Sequence, residues 1–557
     1  MTNHLRIALA QLNPTVGAIK ANLVLAQQAI AKAKAQNVDI LMFPELFLTG
    51  YFPEDLLFKP QFIKDAIAAA HELVKQTKNM EFALLLPSVW QESDKLYNSI
   101  IYAQNGEIKA VRYKYELPNE DVFYEKRYFE AGQLPDIVEI KGVKIGLPIC
   151  EDIWHEPVCK HLAKQGAELF LCPNGSPYWK NKHYLRRKLV RSRVNETGVP
   201  MLYLNQVGGQ DELVFDGASF GYNARGKLAF EGESFKEDFI ITDWQKEKDG
   251  WHFEKGRNIA LVSIDEAPWR ACVLGLRDYL QKNGFKQVVL GLSGGIDSAL
   301  VAAIAVDALG AKNVHCVMMP YKYTSSESLK DAKICAKNLG VRYDVIPISN
   351  PVEAALDELN SIFEGLKKDV TEENIQSRMR GTILMAISNK LGTMLLTTGN
   401  KSEMAVGYAT IYGDMNGGFN PIKDMTKQQV YHFANWRNEN MPDDVLGKNG
   451  EIIPTSIINR APSAELAEGQ LDQDSLPPYE ILDAILEALV EQEMSIAQIV
   501  ALGYEPELVK RIEKMIYLAE YKRNQSAPGV KLTVKAFGRG RKYPITNGYR
   551  DESKNND

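Results

Sequence analysis

The sequence lacks the features that would assign it to a membrane, a secretory route or a nucleic acid. None of its apolar runs reaches the roughly 18 residues that a membrane-spanning helix needs. The first residues, MTNHLRIALAQLNP, show no signal-peptide pattern. Basic residues are not in excess, since the net charge is -6 at pH 7. We therefore expect a cytoplasmic protein with no membrane partner and no nucleic-acid partner.

Residue patterns typical of metal and haem centres are also missing. The six cysteines include no CxxC pair and the eight histidines include no HExxH pair, so zinc is not expected. Haem and flavin are not expected either. The cysteines are typical of thiols in a reducing compartment, and most of them should be small buried hydrophobic side chains. Cys150 is the exception considered below.

A length of 557 residues suggests on the order of two to four domains. Short apolar runs separated by helical stretches in the first half predict sheets flanked by helices. From Ala267 onward strands and helices alternate, which predicts a doubly wound parallel sheet, and the amphipathic C-terminal stretches predict a helical extension packed onto it. The expected domains are residues 1–243, a charged linker over 244–266, residues 267–550 and a disordered tail over 551–557.

An SGGIDS motif at 293–298 lies between an apolar strand and a helix. Two adjacent glycines allow a tight turn whose N–H groups, together with the helix N-terminus, form an anion cradle. Asp297 could hold a Mg²⁺ ion that bridges phosphate oxygens, and Ser293 and Ser298 add hydroxyl groups. No lysine follows the glycines, and GxGxxG is absent. The plainer alternative is a Gly-Ser turn that opens a helix.

This motif resembles the loop of the pyrophosphate-loop ATP pyrophosphatases, which adenylate a carboxylate or carbonyl oxygen and expel pyrophosphate. Within that group, the second half is similar to NAD⁺ synthetases. The similarity lies in strings such as MMPYKYTSSES, ENIQSRMRG, TTGNKSEMAVGYATIYGDMNGGFNPIKD and YKRNQSAPGVK. It implies an adenine nucleotide α-hydrolase-like fold, with ATP and Mg²⁺ used to activate the carboxylate of deamido-NAD⁺ for attack by ammonia.

The same resemblance implies which residues bind the substrates. The implied ATP contacts are Gly291, Leu292, Ser293, Gly294, Gly295, Ile296, Asp297, Ser298 and Thr398. The implied deamido-NAD⁺ contacts are Asn374, Glu403 and Lys522, and the implied metal ligands are Asp297 and Glu403. Independently of the resemblance, Arg378, Lys423 and Lys427 are cations that could offset charge on leaving pyrophosphate, although each alone could equally be a solvated surface charge.

Three residues in the first half have the side chains that amide hydrolysis needs. They are Glu45 in FPELFLTGY, Lys114 in RYKYELPN and Cys150 in GLPICEDIW. The reaction requires a nucleophile, a base that takes its proton, and a cation near the developing oxyanion. Taken singly, Cys150 could be a buried core thiol and Glu45 a capping or salt-bridging carboxylate.

The order and spacing of the three resemble the nitrilase (carbon–nitrogen hydrolase) family with its Glu-Lys-Cys triad. This resemblance implies an α-β-β-α sandwich and a glutaminase activity. It also implies glutamine contacts at Ser176 and Lys182, and a Glu125 that orients the triad lysine. Glu120 and Tyr124 depart from the family pattern, which puts a glutamine contact from position 120 in doubt.

Together, the two halves predict a glutamine-dependent, ATP-consuming amide-forming ligase that is a homo-oligomer with small-molecule substrates. Its glutaminase would release NH₃, which unlike ammonium has a lone pair for attack on an acyl-adenylate. One alternative is another pyrophosphate-loop amidotransferase, such as a GMP synthetase, but those use a Cys-His-Glu triad that Cys150 lacks. The other is a non-catalytic ATP-sensing module fused to a nitrilase-like scaffold.

Overall fold

The structure, a computed structural model, describes residues 3–248 and 250–553. The chain forms two compact units that divide between Ile264 and Asp265. Among the described residues, no helix has the length and apolar character that crossing a membrane requires.

The first unit is built from two large sheets, a two-stranded sheet, and the helices that flank the large sheets. Its strands are β1 His4–Gln11, β2 Ile40–Met42, β3 Ala83–Glu92, β4 Lys95–Gln104, β5 Glu107–Tyr113, β6 Val138–Ile140, β7 Val143–Gly146, β8 Leu169–Asn174, β9 Met201–Asn205, β10 Val207–Gln210, β11 Leu213–Asp216, β12 Phe220–Tyr222, β13 Leu228–Glu231, β14 Asp238–Glu247 and β15 Gly250–Lys255. Its helices are α1 Ile19–Ala35, α2 Pro60–Gln76, α3 Pro157–Lys164 and α4 Lys182–Thr197.

One large sheet has the order β15-β14-β1-β2-β3-β4-β5 and the other has the order β13-β12-β9-β8-β7-β6, while β10 and β11 form the two-stranded sheet. Alternate residues of β1 face opposite cores, because successive side chains of a strand point to opposite sides. Leu5 and Ile7 pack between the two sheets, whereas Ala8 packs in the core that holds α1 and α2. A third core joins β8 and β9 to α3 and α4. The predicted α-β-β-α sandwich is confirmed.

The structure differs from the predicted linker over 244–266, because residues 244–247 and 250–255 belong to the antiparallel strands β14 and β15. Trp244 and Trp251 are buried in the core between the sheets. The intervening charged residues of WQKEKDGWHFEK hide this alternation in the sequence.

The second unit begins with a parallel sheet and ends in helices. Its strands are β16 Val288–Gly291, β17 Val314–Met318, β18 Arg342–Val345 and β19 Met394–Leu395. Its helices are α5 Glu266–Lys282, α6 Ile296–Leu309, α7 Ser326–Leu339, α8 Ser349–Leu359, α9 Val370–Leu391, α10 Lys401–Val406, α11 Lys427–Glu439, α12 Thr455–Ile458, α13 Tyr479–Leu486, α14 Ile496–Ala501, α15 Pro506–Leu518 and α16 Glu520–Arg523.

The four parallel strands have the order β18-β17-β16-β19. The chain adds β17 and β18 on one side of β16 and β19 on the other, so the switch point lies between β16 and β19. In such sheets, ligands bind beyond the carboxyl ends of the strands at this switch point. The SGGIDS loop follows β16 and Thr398 follows β19, so both border this position. The predicted doubly wound parallel sheet and its helical extension are confirmed.

The predicted disordered tail also differs from the structure in its first residues. Asp551 Oδ2 accepts a hydrogen bond from the Ile496 N–H (2.7 Å), and Ser553 Oγ accepts one from the Ala497 N–H (3.1 Å). The remainder of the predicted tail, residues 554–557, lies outside the described residues.

Candidate active sites

In the first unit, Lys114 lies between two carboxylates with no exposure to solvent. Its Nζ donates hydrogen bonds to Glu45 Oε1 (2.7 Å) and to Glu125 Oε1 (2.8 Å). All three side chains are completely buried. The structure therefore brings two of the three predicted catalytic residues into direct contact, with Glu125 as the second partner of the lysine.

Burial and mutual attraction set the protonation of this group. Burial alone would lower the pKa of Lys114, but Glu125 and Glu45 raise it well above its usual value, so the ammonium form persists. Burial raises the pKa of Glu125 to about 7, against the attraction of Lys114. Burial also raises the pKa of the Cys150 thiol well above its usual value, and the charge of Glu45 adds to the rise. The resting thiol is thus neutral and needs a base.

Cys150 occupies a strained turn immediately after the segment that follows β7. It is the first residue of a 3₁₀ turn over Cys150–Ile153, and its φ of 42° is in the left-handed region, which non-glycine residues rarely adopt. Asp152 holds this turn by accepting hydrogen bonds from the N–H groups of Ile149 (2.8 Å) and Glu116 (2.8 Å). Because Glu116 is two residues from Lys114, Asp152 ties the cysteine turn to the lysine segment.

Glu45 is fixed by contacts that the sequence analysis did not find. Its Oε1 accepts a hydrogen bond from Asn98 Nδ2 (2.8 Å), and its Oε2 accepts one from the Gly175 N–H (2.8 Å). Tyr51 donates its hydroxyl to Glu125 Oε1 (2.8 Å) and lies so close to Gly175 that a Cβ there would meet the ring at 2.6 Å. Asn98 is a polar residue inside the apolar strand KLYNSIIYAQ, but nothing in the sequence shows that its partner is Glu45. Tyr51 carries no sequence signal either.

The two predicted glutamine contacts lie on neighbouring segments of the first unit. Arg186 Nε donates a hydrogen bond to Ser176 Oγ (3.0 Å). The Lys182 ammonium lies 4.4 Å from the ring centroid of Trp154, a residue that directly follows the Cys150 turn. Burial, with the charge of Arg186 added, lowers the pKa of Lys182 to about 8, and Cys150 is close enough to act on that pKa.

In the second unit, the SGGIDS loop has the shape of an anion cradle. Gly294 has a φ of 85°, and a Cβ there would meet the Ser328 carbonyl oxygen at 2.5 Å, so glycine is required on both counts. Ser293 Oγ accepts a hydrogen bond from the Gly295 N–H (3.2 Å), and Ser298 Oγ donates one to the Gly295 carbonyl (2.9 Å). The N-terminus of α6 stands directly behind the loop.

Asp297 of this motif and Glu403 both contact one cation. Lys427 Nζ lies 2.6 Å from Asp297 Oδ2 and 3.0 Å from Glu403 Oε1. Asn400 aligns the pair, because its Nδ2 donates to Asp297 Oδ1 (2.8 Å) and its Oδ1 accepts from the Glu403 N–H (3.0 Å). Burial, with the attraction of Lys427 opposing it and the charge of Asp297 adding to it, raises the pKa of Glu403 to about 8. Two carboxylates that already share a cation fit Mg²⁺, which is usually held by one or two carboxylates plus substrate phosphates.

The loop and these carboxylates line a cavity of about 300 Å³. Every predicted ATP contact lies on its wall, as do Glu403 and Lys427. Asn374 and Lys522 are not among the residues that line it. Asn374 Oδ1 instead accepts a hydrogen bond from the Thr410 hydroxyl (2.8 Å), and Lys522 Nζ donates to the Ala409 carbonyl (2.8 Å).

Arg378 and Lys423 are also absent from the cavity wall. Arg378 Nε donates a hydrogen bond to the Ile411 carbonyl (3.3 Å). Of the three cations considered for pyrophosphate, the structure therefore brings Lys427 alone to the cavity.

Two family models match the chain, one in each half. The model described as carbon-nitrogen hydrolase matches residues 6–249, and the model described as NAD synthase matches residues 268–526. Both candidate sites lie inside the matched ranges.

Relatives match the chain along nearly its whole length. The glutamine-dependent NAD(+) synthetase of Rhodobacter capsulatus is 51% identical, covering 99% of this chain and 100% of the relative. That of Thermotoga maritima is 42% identical, covering 98% and 99%. Among solved structures, the glutamine-dependent NAD+ synthetase of Acinetobacter baumannii in complex with ADP has a TM-score of 0.78 and 39% identity, covering 99% of this chain and 100% of that one.

Proposed function

This chain belongs to the family of glutamine-dependent NAD(+) synthetases, and on that premise we propose how its residues divide the reaction. The enzyme adenylates the carboxylate of deamido-NAD⁺ with ATP, releases pyrophosphate, and amidates the adenylate with ammonia from glutamine. The products are NAD⁺, AMP and glutamate. One observation carries the assignment: a buried Glu-Lys-Cys group lies in one unit and a phosphate-type loop with two carboxylates lies in the other.

In the glutaminase site, Glu45 takes the proton of Cys150 and the thiolate attacks the side-chain amide of glutamine. Lys114 stabilises the oxyanion, and Glu45 returns the proton to the leaving amine. Water then hydrolyses the γ-glutamyl thioester. The raised pKa of Cys150 supports this order, because the thiol stays neutral until Glu45 accepts its proton.

In the synthetase site, the loop over 291–298 holds the phosphates of ATP, with Thr398 as a further contact. Asp297 and Glu403 would hold Mg²⁺, which would neutralise charge on the phosphate oxygens. Lys427 faces the same charge as pyrophosphate leaves. Contacts from Asn374 and Lys522 require deamido-NAD⁺ to extend beyond the cavity, along the segment that includes Ala409 and Thr410.

Glu45→Gln is expected to abolish formation of the γ-glutamyl thioester as well as its hydrolysis. Glutamine keeps the shape of the side chain but cannot accept a proton. Because its amide has a single acceptor oxygen, it keeps only one of the two hydrogen bonds that Glu45 accepts from Asn98 and Gly175. Trapping with a glutamine-like electrophile, followed by mass spectrometry of the protein, measures the rate at which Cys150 is labelled. The exposed Glu120→Gln is the matched control, since it makes the same change outside the buried group. Labelling of Glu45→Gln at the unchanged rate would place proton abstraction on another residue, with Lys114 the first to test.

The kcat/KM for glutamine should fall as the pH rises through about 8. The reason is that Lys182, whose pKa is lowered to about 8, is charged below this pH and neutral above it. We take its contact with glutamine to be an ion pair with the α-carboxylate, which needs that charge. The kcat/KM profile reports the free enzyme, so glutaminase assays across pH measure the effect. Lys182→Arg keeps its charge at every pH tested and should lose this fall, whatever its absolute rate. A fall that persists in Lys182→Arg would assign the titration to another group.

A further inference from the structure

Asp472 lies at the cavity of the second unit, and one of its two carboxylate oxygens has no hydrogen-bond donor. The residue lines the cavity and is only 4% exposed. Its Oδ2 accepts the hydroxyl of Tyr479 (2.9 Å), whereas its Oδ1 is buried and has no donor at hydrogen-bonding distance and angle. The Tyr408 hydroxyl, on the same cavity wall, also interacts with this carboxylate. A buried acceptor left unpaired is costly. The oxygen is therefore an open position for a ligand that donates hydrogen bonds.

The charges around Asp472 favour a small donor or cation over an anionic group. Lys427 is the ammonium that Asp297 and Glu403 already share. Burial raises the pKa of Glu403, and the charge of Asp472 adds to the rise. Burial also raises the pKa of Asp472, and the charge of Asp297 adds to that rise, so these three carboxylates lie around the Lys427 ammonium. Arg380 and Arg460 also line the cavity. A phosphate or a substrate carboxylate would be repelled from the open Oδ1.

Two observations favour ammonia over a metal ion at this oxygen. Within residues 3–248 and 250–553, no group of three or more His, Cys, Asp or Glu side chains is arranged to hold a metal ion, so Asp472 is not a third ligand beside Asp297 and Glu403. The Tyr479 proton points at Oδ2 and is thus directed away from a ligand at Oδ1. An acceptor here takes an N–H of ammonia and leaves the nitrogen lone pair free, whereas an O–H donor would occupy that lone pair.

We propose that Asp472 binds and orients the ammonia that attacks the adenylate, with Tyr479 holding the carboxylate in place. The inference rests on the proposed function, because it names the subsite for one substrate of that reaction. It concerns binding before the new C–N bond forms. Ammonia released from glutamine and ammonia from added ammonium salts occupy the same subsite.

Asp472→Asn tests the proposal, with ammonium chloride as the nitrogen donor. Loss of a hydrogen bond to a charged acceptor should raise the KM for ammonium about tenfold or more. Exchange of pyrophosphate into ATP that depends on deamido-NAD⁺ should stay unchanged, and so should its Mg²⁺ requirement. The control Glu468→Gln makes the same charge change at an exposed position nearby and should alter neither measurement. Tyr479→Phe, which releases Oδ2, should raise the same KM by less.

An unchanged KM for ammonium in a folded Asp472→Asn protein would overturn the proposal. A raised Mg²⁺ requirement or lost exchange would also overturn it, by assigning Asp472 to the metal or the nucleotide. If Asp472→Asn does not fold, Tyr479→Phe decides on the same criteria. Absence of exchange in the unchanged protein is a separate result, because it would contradict the proposed function itself.

Discussion

Cys150→Ala is expected to abolish NAD⁺ synthesis driven by glutamine and to leave synthesis driven by ammonium essentially unchanged. The thiol is the proposed nucleophile for the amide of glutamine, and losing a nucleophile can remove several orders of magnitude in rate. The loop over 291–298 and its carboxylates belong to a different compact unit, so adenylation does not depend on the thiol. Assays of NAD⁺ and AMP with each nitrogen donor measure both rates.

The matched control for this prediction is Cys159→Ala. Cys159 is another buried, free cysteine of the first unit, and it packs on α3 against the outer face of the second sheet. Both activities should survive in this variant. Equal loss with both donors in a folded Cys150→Ala protein would contradict the assignment of the two activities to separate sites.

Asp297→Asn is expected to stop adenylation with either nitrogen donor. The substitution removes one of the two carboxylates that Lys427 bridges, and with it a proposed Mg²⁺ ligand beside the phosphate loop. Losing one electrostatic contact to a reacting group typically costs about 10²–10³ in rate, and a metal ligand should cost at least as much. Pyrophosphate release in the presence of deamido-NAD⁺ measures the step directly.

Glutamine hydrolysis should continue in Asp297→Asn, because no glutaminase residue is altered. Asp357→Asn, an exposed position on α8, is the control for the chemical change and should release pyrophosphate normally. Normal release by Asp297→Asn itself would show that Asp297 has no role in metal or nucleotide binding.

The parts of the two sites that follow strands could be predicted from the sequence. Apolar runs end close to the reactive side chains of Glu45 and Cys150, and a strand–glycine–helix pattern surrounds Asp297. These signals are local, since each motif carries its reactive residue within a few positions of the element that holds it.

The residues that orient those side chains could not be predicted, because their contacts join distant parts of the chain. Asn98 reaches Glu45 across 53 positions, and Asn400 reaches Asp297 across 103. Each is one of many polar residues in the sequence, and no periodicity shows which of them will converge. Asp472 could not be predicted either, because the sequence does not show which buried oxygen will lack a hydrogen-bond donor.

The resemblance to NAD⁺ synthetases placed two residues less accurately than the SGGIDS motif placed the ATP contacts. Asn374 and Lys522 were assigned to deamido-NAD⁺ by their places in long matching strings, and the structure puts them against residues 407–410 rather than on the cavity wall. A matching sequence segment shows that a residue lies near the ligand, but the packing of the fold determines which side chains line the cavity.

Transfer of labelled nitrogen from glutamine to NAD⁺ would show that the two sites carry out one reaction. The unchanged protein is supplied with ATP, Mg²⁺, deamido-NAD⁺ and glutamine that carries ¹⁵N in its side-chain amide, and the products are analysed by mass spectrometry. We expect ¹⁵N in the carboxamide of NAD⁺, with AMP and pyrophosphate formed in amounts equal to NAD⁺ and glutamate formed in at least that amount. NAD⁺ without the label, or glutamate formed with no AMP or NAD⁺ at all, would contradict this expectation.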